Sequence, residues 1–81
     1  MVCPCPCCEY LTFDERPTGT FEVCPVCGWE DDDAQFRDPT YGGGANSISL
    51  EQARINFVTI GAIGKNFLNS VREPFVDEIS D

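Results

Sequence analysis

Four cysteines in two closely spaced pairs limit what this 81-residue chain can become. Cys5 and Cys8 form one C-x2-C pair, Cys24 and Cys27 form another, and fifteen residues separate Cys8 from Cys24. Two such pairs at this separation have the spacing of a four-cysteine metal site. Four thiolates suit a tetrahedral ion such as zinc, and a shell of four protein ligands is the closed, structural kind. The chain is short enough to need such a staple. A single domain of this size gains little from its hydrophobic core alone, and small domains add disulfides or a metal. The redox compartment decides between the two. The opening run Met-Val-Cys-Pro-Cys-Pro-Cys-Cys contains neither a basic nor an apolar stretch, so no secretory signal is expected. No segment approaches the ~18 consecutive apolar residues of a membrane span. The expectation is therefore a cytoplasmic protein with no membrane partner, in a compartment where disulfides rarely persist. It should hold one Zn2+ per chain on Cys5, Cys8, Cys24 and Cys27.

Local chemistry separates the two halves of that site. In Cys24-Pro25-Val26-Cys27-Gly28 the proline stiffens the turn, and the glycine can take positive φ just after the second ligand. Such a turn aims backbone N–H groups at the sulfurs. Cys5-Pro6-Cys7-Cys8 is followed by Glu9 instead, so its turn is expected to be less regular. Cys3 and Cys7 remain over. Adjacent cysteines seldom bind one ion, so Cys7 is read as a small buried filler or a donor to a ligand sulfur. Cys3 and Cys7 stay open as alternate ligands.

The chain has no histidine. That removes nucleophile–base pairs built on imidazole and catalytic zinc held by two histidines and a carboxylate. Asp31-Asp32-Asp33 is a run of acids, which reads as solvated surface. Gly42-Gly43-Gly44 lacks the following Lys and Ser/Thr of a phosphate loop. No catalytic constellation is assembled and no small-molecule substrate is evident, so the chain is not expected to be an enzyme.

Patterning gives one domain in four stretches. Residues 3–30 read as a ribbon. Tyr10–Phe13 and Thr20–Val23 are rich in strand formers and are joined by a turn over 14–19 with Pro17 and Gly19. Residues 31–47 read as a loop, with Trp29, Phe36 and Tyr41 as aromatics covering the core. Residues 48–74 read as helical. Ser49 is the N-cap with Gln52 completing a capping box, and Ile48 staples onto Ala53. Leu50, Ala53, Phe57 and Ile60 share one face, and Gly61 is the stop. A second short helix is expected over 65–72, ending before Pro74. Residues 75–81 form an acidic tail expected to fray. The fold class is small α+β: a zinc-ribbon or rubredoxin-like β-hairpin with a four-cysteine site, packed against one or two C-terminal helices.

Several runs together resemble a known family. They are Cys5-Pro6-Cys7-Cys8, Tyr10-Leu11-Thr12, Cys24-Pro25-Val26-Cys27, Trp29-Glu30-Asp31-Asp32, Asp38-Pro39-Thr40-Tyr41 and Gly43-Gly44-Ala45-Asn46. The pattern continues through Ser49-Leu50, Ala53-Arg54, Asn56-Phe57, Gly61-Ala62 and Val71-Arg72 with Pro74. It is similar to the cysteine-rich CPCC family of small bacterial proteins, and the resemblance covers almost the whole chain. That family carries glycine after the CPCC motif, where this chain has Glu9. The resemblance implies zinc binding and leaves the activity open.

Charge is the remaining clue to function. Fourteen acids against five bases give a net charge of −9, and zinc on four thiolates adds about −2 more. Affinity for nucleic acid comes largely from Lys and Arg, so nucleic acid is not an expected partner. An acidic surface favours a basic protein and steered association with it. The leading expectation is a zinc-stabilised protein–protein interaction module, in one form an immunity-type inhibitor, with Trp29, Glu30, Asp31, Asp32 and Asp33 as the docking residues. The alternatives are a rubredoxin-like electron-transfer protein holding iron and a transcription-associated zinc ribbon acting through protein contacts.

Overall fold

Each C-x2-C pair closes a turn, and the two turns use the same bonds. The computed structural model describes residues 2–17 and 19–79. In the first turn Glu9 N–H donates to the Cys5 carbonyl (2.8 Å) and Cys5 N–H donates to the Tyr10 carbonyl (2.9 Å). In the second, Gly28 N–H donates to the Cys24 carbonyl (2.9 Å) and Cys24 N–H to the Trp29 carbonyl (2.8 Å). Glu9 takes φ 68° where Gly28 takes φ 93°. The expectation of a less regular first turn is therefore corrected: Glu9 adopts the left-handed conformation that glycine would supply.

The flanks of each turn leave it antiparallel and pair briefly with each other. Cys3 bridges Phe13, and Val23 bridges Glu30. These are isolated bridges, and no strand forms among the described residues. Nor does Tyr10–Phe13 pair with Thr20–Val23 as expected, because its backbone is already engaged. Phe13 exchanges both of its bonds with Cys3, and Leu11 N–H donates to the Glu78 carbonyl (2.7 Å). The β part is thus two knuckle-tipped loops, without the expected ribbon hairpin.

The segment read as loop holds a short helix, α1 (Asp33–Arg37). Asp32 caps it by accepting the Gln35 N–H, and Arg37 at its end pairs with Asp33 one turn earlier. Beneath it lies a buried amide pair. Gln35 Nε2 donates to the carbonyls of Tyr41 (3.0 Å) and Ile48 (2.9 Å), while its Oε1 accepts from Asn46 Nδ2 (2.9 Å). Asn46 in turn grips Glu30, accepting its N–H (2.9 Å) and donating to its carbonyl (2.8 Å). The buried amides of Gln35 and Asn46 thus give this long loop internal hydrogen-bond partners. Gly44 lies so close that a Cβ there would sit 2.8 Å from Asp32 Oδ2 and from the Gln35 side chain. Of the three expected covering aromatics only Trp29 is buried; Phe36 and Tyr41 are exposed.

Helix α2 (Leu50–Ile60) starts and stops where its sequence says. Ser49 Oγ accepts the Gln52 N–H (3.1 Å), and Gly61 ends the helix at φ 88°. The capping box is half-made, because Gln52 Nε2 donates to Asn56 Oδ1 (2.9 Å). Leu50 and Ala53 are fully buried, and Phe57 meets Tyr10 edge-on at 6.3 Å, which docks α2 on the first knuckle. Burying Leu50 contributes about 1.5–3 kcal/mol. Ile60 lies at the exposed margin.

The second expected helix is replaced by a 3-10 turn at Lys65–Phe67. Gly64 offers no capping side chain, and Asn66, Asn69 and Ser70 are weak helix formers. Arg72 N–H then leaves for the Pro25 carbonyl (3.0 Å). The tail is also corrected, because another 3-10 turn at Val76–Glu78 ties it down. Arg72 grips Glu78 through two bonds (2.8 and 2.9 Å) and lies 3.8 Å over the Phe75 ring. Ser80 and Asp81 lie outside the described residues. Among those residues no helix is long and apolar enough to cross a membrane.

Candidate metal centre

The two knuckles point their sulfurs at one another. The Sγ atoms of Cys5, Cys8, Cys24 and Cys27 all lie within 4.8 Å of each other. Cys5 Sγ is 3.6 Å from Cys27 Sγ, and Cys8 Sγ is 3.7 Å from Cys24 Sγ. A tetrahedral ion with metal–sulfur bonds of about 2.3 Å separates its sulfurs by roughly 3.8 Å. A disulfide needs about 2.05 Å, and all six cysteines are free thiols. The sulfurs are therefore set for one shared cation.

Donors around the sulfurs fit the same reading. Cys7 N–H donates to Cys5 Sγ and Trp29 N–H to Cys27 Sγ, both at 3.4 Å, one from each knuckle. The Thr12 hydroxyl lies 3.1 Å from Cys24 Sγ. Arg54 on α2 donates through Nε to the Pro6 carbonyl (2.9 Å), which brings a positive charge to the rim of the first knuckle. The donors at Cys7, Thr12 and Trp29 are the contacts that reach sulfur and would support its charged form. A cleft of about 690 Å3, lined in part by Cys5, Cys8, Tyr10 and Arg54, opens beside that knuckle. Cys8 is the half-exposed member of the tetrad, and the other three are buried.

The four thiols share their protons unequally. Hydrogen bonding to Cys24 pushes the Cys5, Cys8 and Cys27 thiols far above the ordinary thiol range. The bonds that Cys24 accepts, from Cys27 first, hold it far below that range. One thiolate is thus stabilised by three neighbouring thiols. All four ionise together only when a metal replaces the shared protons.

Cys7 is buried outside the tetrad, at the position Val26 occupies in the second knuckle. Cys3 is half-buried and engaged through its backbone with Phe13. The expected docking residues are dispersed. Trp29 and Asp31 are fully buried, so neither lies on a surface as expected. Residues 29 and 31 share the inward side of an extended segment, and Asp31 Oδ2 accepts from Gly19 N–H, Thr20 N–H and the Thr20 hydroxyl. Glu30 is half-exposed, with its backbone held by Asn46. Asp32 caps α1, and the Gln35 N–H it accepts holds its carboxyl below the usual range. Asp33 is paired with Arg37. Sequence reasoning missed Thr12, Arg54, Gln35 and Asn46. Thr12, Arg54 and Asn46 stand in runs that carry the family resemblance, but spacing alone assigns none of them a role.

Two equivalent knuckles facing one sulfur tetrad define a four-cysteine domain with a candidate metal site. The chain belongs to the cysteine-rich CPCC family, whose sequence profile matches residues 3–78. No protein of curated function is detectably similar to it.

Proposed function

We propose that this chain holds one structural zinc ion on Cys5, Cys8, Cys24 and Cys27 and serves as an acidic interaction module for a basic protein. The observation that carries the zinc reading is the sulfur spacing of 3.6–3.7 Å across the two knuckles, close to the tetrahedral value. Four protein sulfurs close the shell, so the ion contributes to folding and leaves no open position for substrate. The interaction reading rests on the −9 net charge. Two of the five bases, Arg37 and Arg72, are already paired with acids. What remains is a negative field that steers positively charged partners.

Native mass spectrometry with elemental analysis of protein purified without chelator tests the metal. One zinc per chain is expected. It should be lost with the fold in Cys24→Ser and Cys27→Ser and kept in Cys7→Val, because Val26 fills the equivalent position in the second knuckle. Iron, with a coloured protein, would replace this reading with electron transfer. Loss of zinc in Cys7→Val would move the ligand set.

A further inference from the structure

One exposed aromatic is held where a side chain rarely sits. Phe21 takes φ 60° and is 60% exposed. A bulky residue in the left-handed region is a true outlier, and the structure around it must enforce the conformation. Asp31 does so from beneath. Its carboxylate takes the N–H groups of Gly19 (3.0 Å) and Thr20 (2.9 Å) and the Thr20 hydroxyl (3.0 Å), while its carbonyl takes the Phe21 N–H (3.0 Å). Its own N–H donates to the Glu22 carbonyl (2.9 Å). The chain is pinned on both sides of Phe21, and the ring is left outside.

Val23, two residues on, is 53% exposed. Acids lie beside the pair along the chain. Glu22 lies between the two and accepts the N–H of the exposed Asp14, and Asp33, paired with Arg37, packs against Gly19. The bases in these segments are Arg16 and Arg37, and Arg37 is paired with Asp33. An apolar anchor inside a polar, solvent-accessible rim is the usual makeup of a protein interface.

We infer that Phe21 and Val23 form the docking surface of this domain, and that its occupant is a protein segment carrying an apolar side chain flanked by Lys or Arg. The inference rests on the interaction reading above and names its surface. A second copy of the chain is the wrong occupant, because two chains of −9 repel each other. The buried Asp31 acts as the support that presents Phe21.

The test uses zinc-loaded, 15N-labelled full-length chain and three capped nonapeptides: central Phe flanked by Lys, central Ala flanked by Lys, and central Phe flanked by Glu. The Lys-flanked Phe peptide should shift the amides of residues 19–23 and 30–31. Its affinity should fall at least fivefold with the Ala peptide and again with Phe21→Gly, and the Glu peptide should not bind. Phe21→Gly should keep the wild-type urea midpoint or raise it, since glycine accepts φ 60°. A fall of more than a tenth in that midpoint would make Phe21 a covering residue and overturn the inference. Binding of both Lys peptides at some other face would overturn this surface and leave the basic-partner reading standing. No binding by either Lys peptide would sink both. A wild-type dimer abolished by Phe21→Gly would replace the basic partner with a second copy.

Discussion

Replacing Glu9 by glycine should stabilise the zinc-loaded protein. Glu9 occupies φ 68° at the position where the second knuckle has Gly28 at φ 93°. Left-handed backbone costs a residue with a Cβ about 1–2 kcal/mol. Glycine removes that strain and returns about 0.5–1 kcal/mol through its greater freedom when unfolded. Its exposed carboxylate makes no hydrogen bond or ion pair among the described residues, so truncation sacrifices little else. The net expectation is about 0.5–1 kcal/mol of added stability. Because metal binding and folding are coupled, zinc should be held about two- to five-fold more tightly. Urea titration at buffered free zinc, followed by the fluorescence of the buried Trp29, measures the first quantity, and competition with a chelator measures the second. The mirror experiment sharpens the test. In Gly28→Ala the new Cβ would lie 2.9 Å from Phe67 Cδ1 as well as at φ 93°. Its loss should therefore exceed the roughly 1–2 kcal/mol of backbone strain alone. A destabilised Glu9→Gly beside a tolerated Gly28→Ala would refute the equivalence of the two knuckles.

Two further outcomes follow from the same contacts. Asn46→Ala strips partners from the Glu30 N–H and carbonyl and from Gln35 Oε1; a loss of about 2–3 kcal/mol is expected in urea titration. The Glu78 contribution should depend on pH in a defined direction. Arg72 beside it holds its carboxyl below the ordinary value of 4.5, so its stabilisation is complete above about pH 4.5 and disappears as pH falls through the lower folded value. Hydrogen exchange at Leu11, whose N–H bonds the Glu78 carbonyl, should show protection relative to Glu78→Gln above that pH and none well below it. Equal protection at both ends of the range would contradict the Arg72 pairing.

The gathering of the four sulfurs is legible because cysteine spacing is local: two residues between cysteines define a turn wherever the rest of the chain goes. Helix α2 was legible for a similar reason, with Ser49 and Gly61 marking both ends by their own chemistry. Pairing was not local. Tyr10–Phe13 had strand formers and two possible neighbours, and the first knuckle turned it back on Cys3. The tail reads as frayed when its acids are summed without Arg72, whose grip on Glu78 closes a contact six residues apart.

The acidic run shows most clearly where composition stops informing. Trp29-Glu30-Asp31-Asp32-Asp33 reads as a solvated face when charges are simply summed. In the folded chain Trp29 and Asp31 alternate inward, and the three aspartates separate into a buried loop anchor, a helix cap and an ion-pair partner. The missed signal was the period of two that begins at the aromatic Trp29. It predicts that the carboxylate at 31 needs internal donors, which Gly19 and Thr20 supply from the turn before it. Net charge therefore bears on the sign of a partner, while the atoms that meet it depend on which charges the fold has already used. With the three aspartates occupied in this way, the exposed Phe21 that Asp31 supports is the feature the proposed partner would touch.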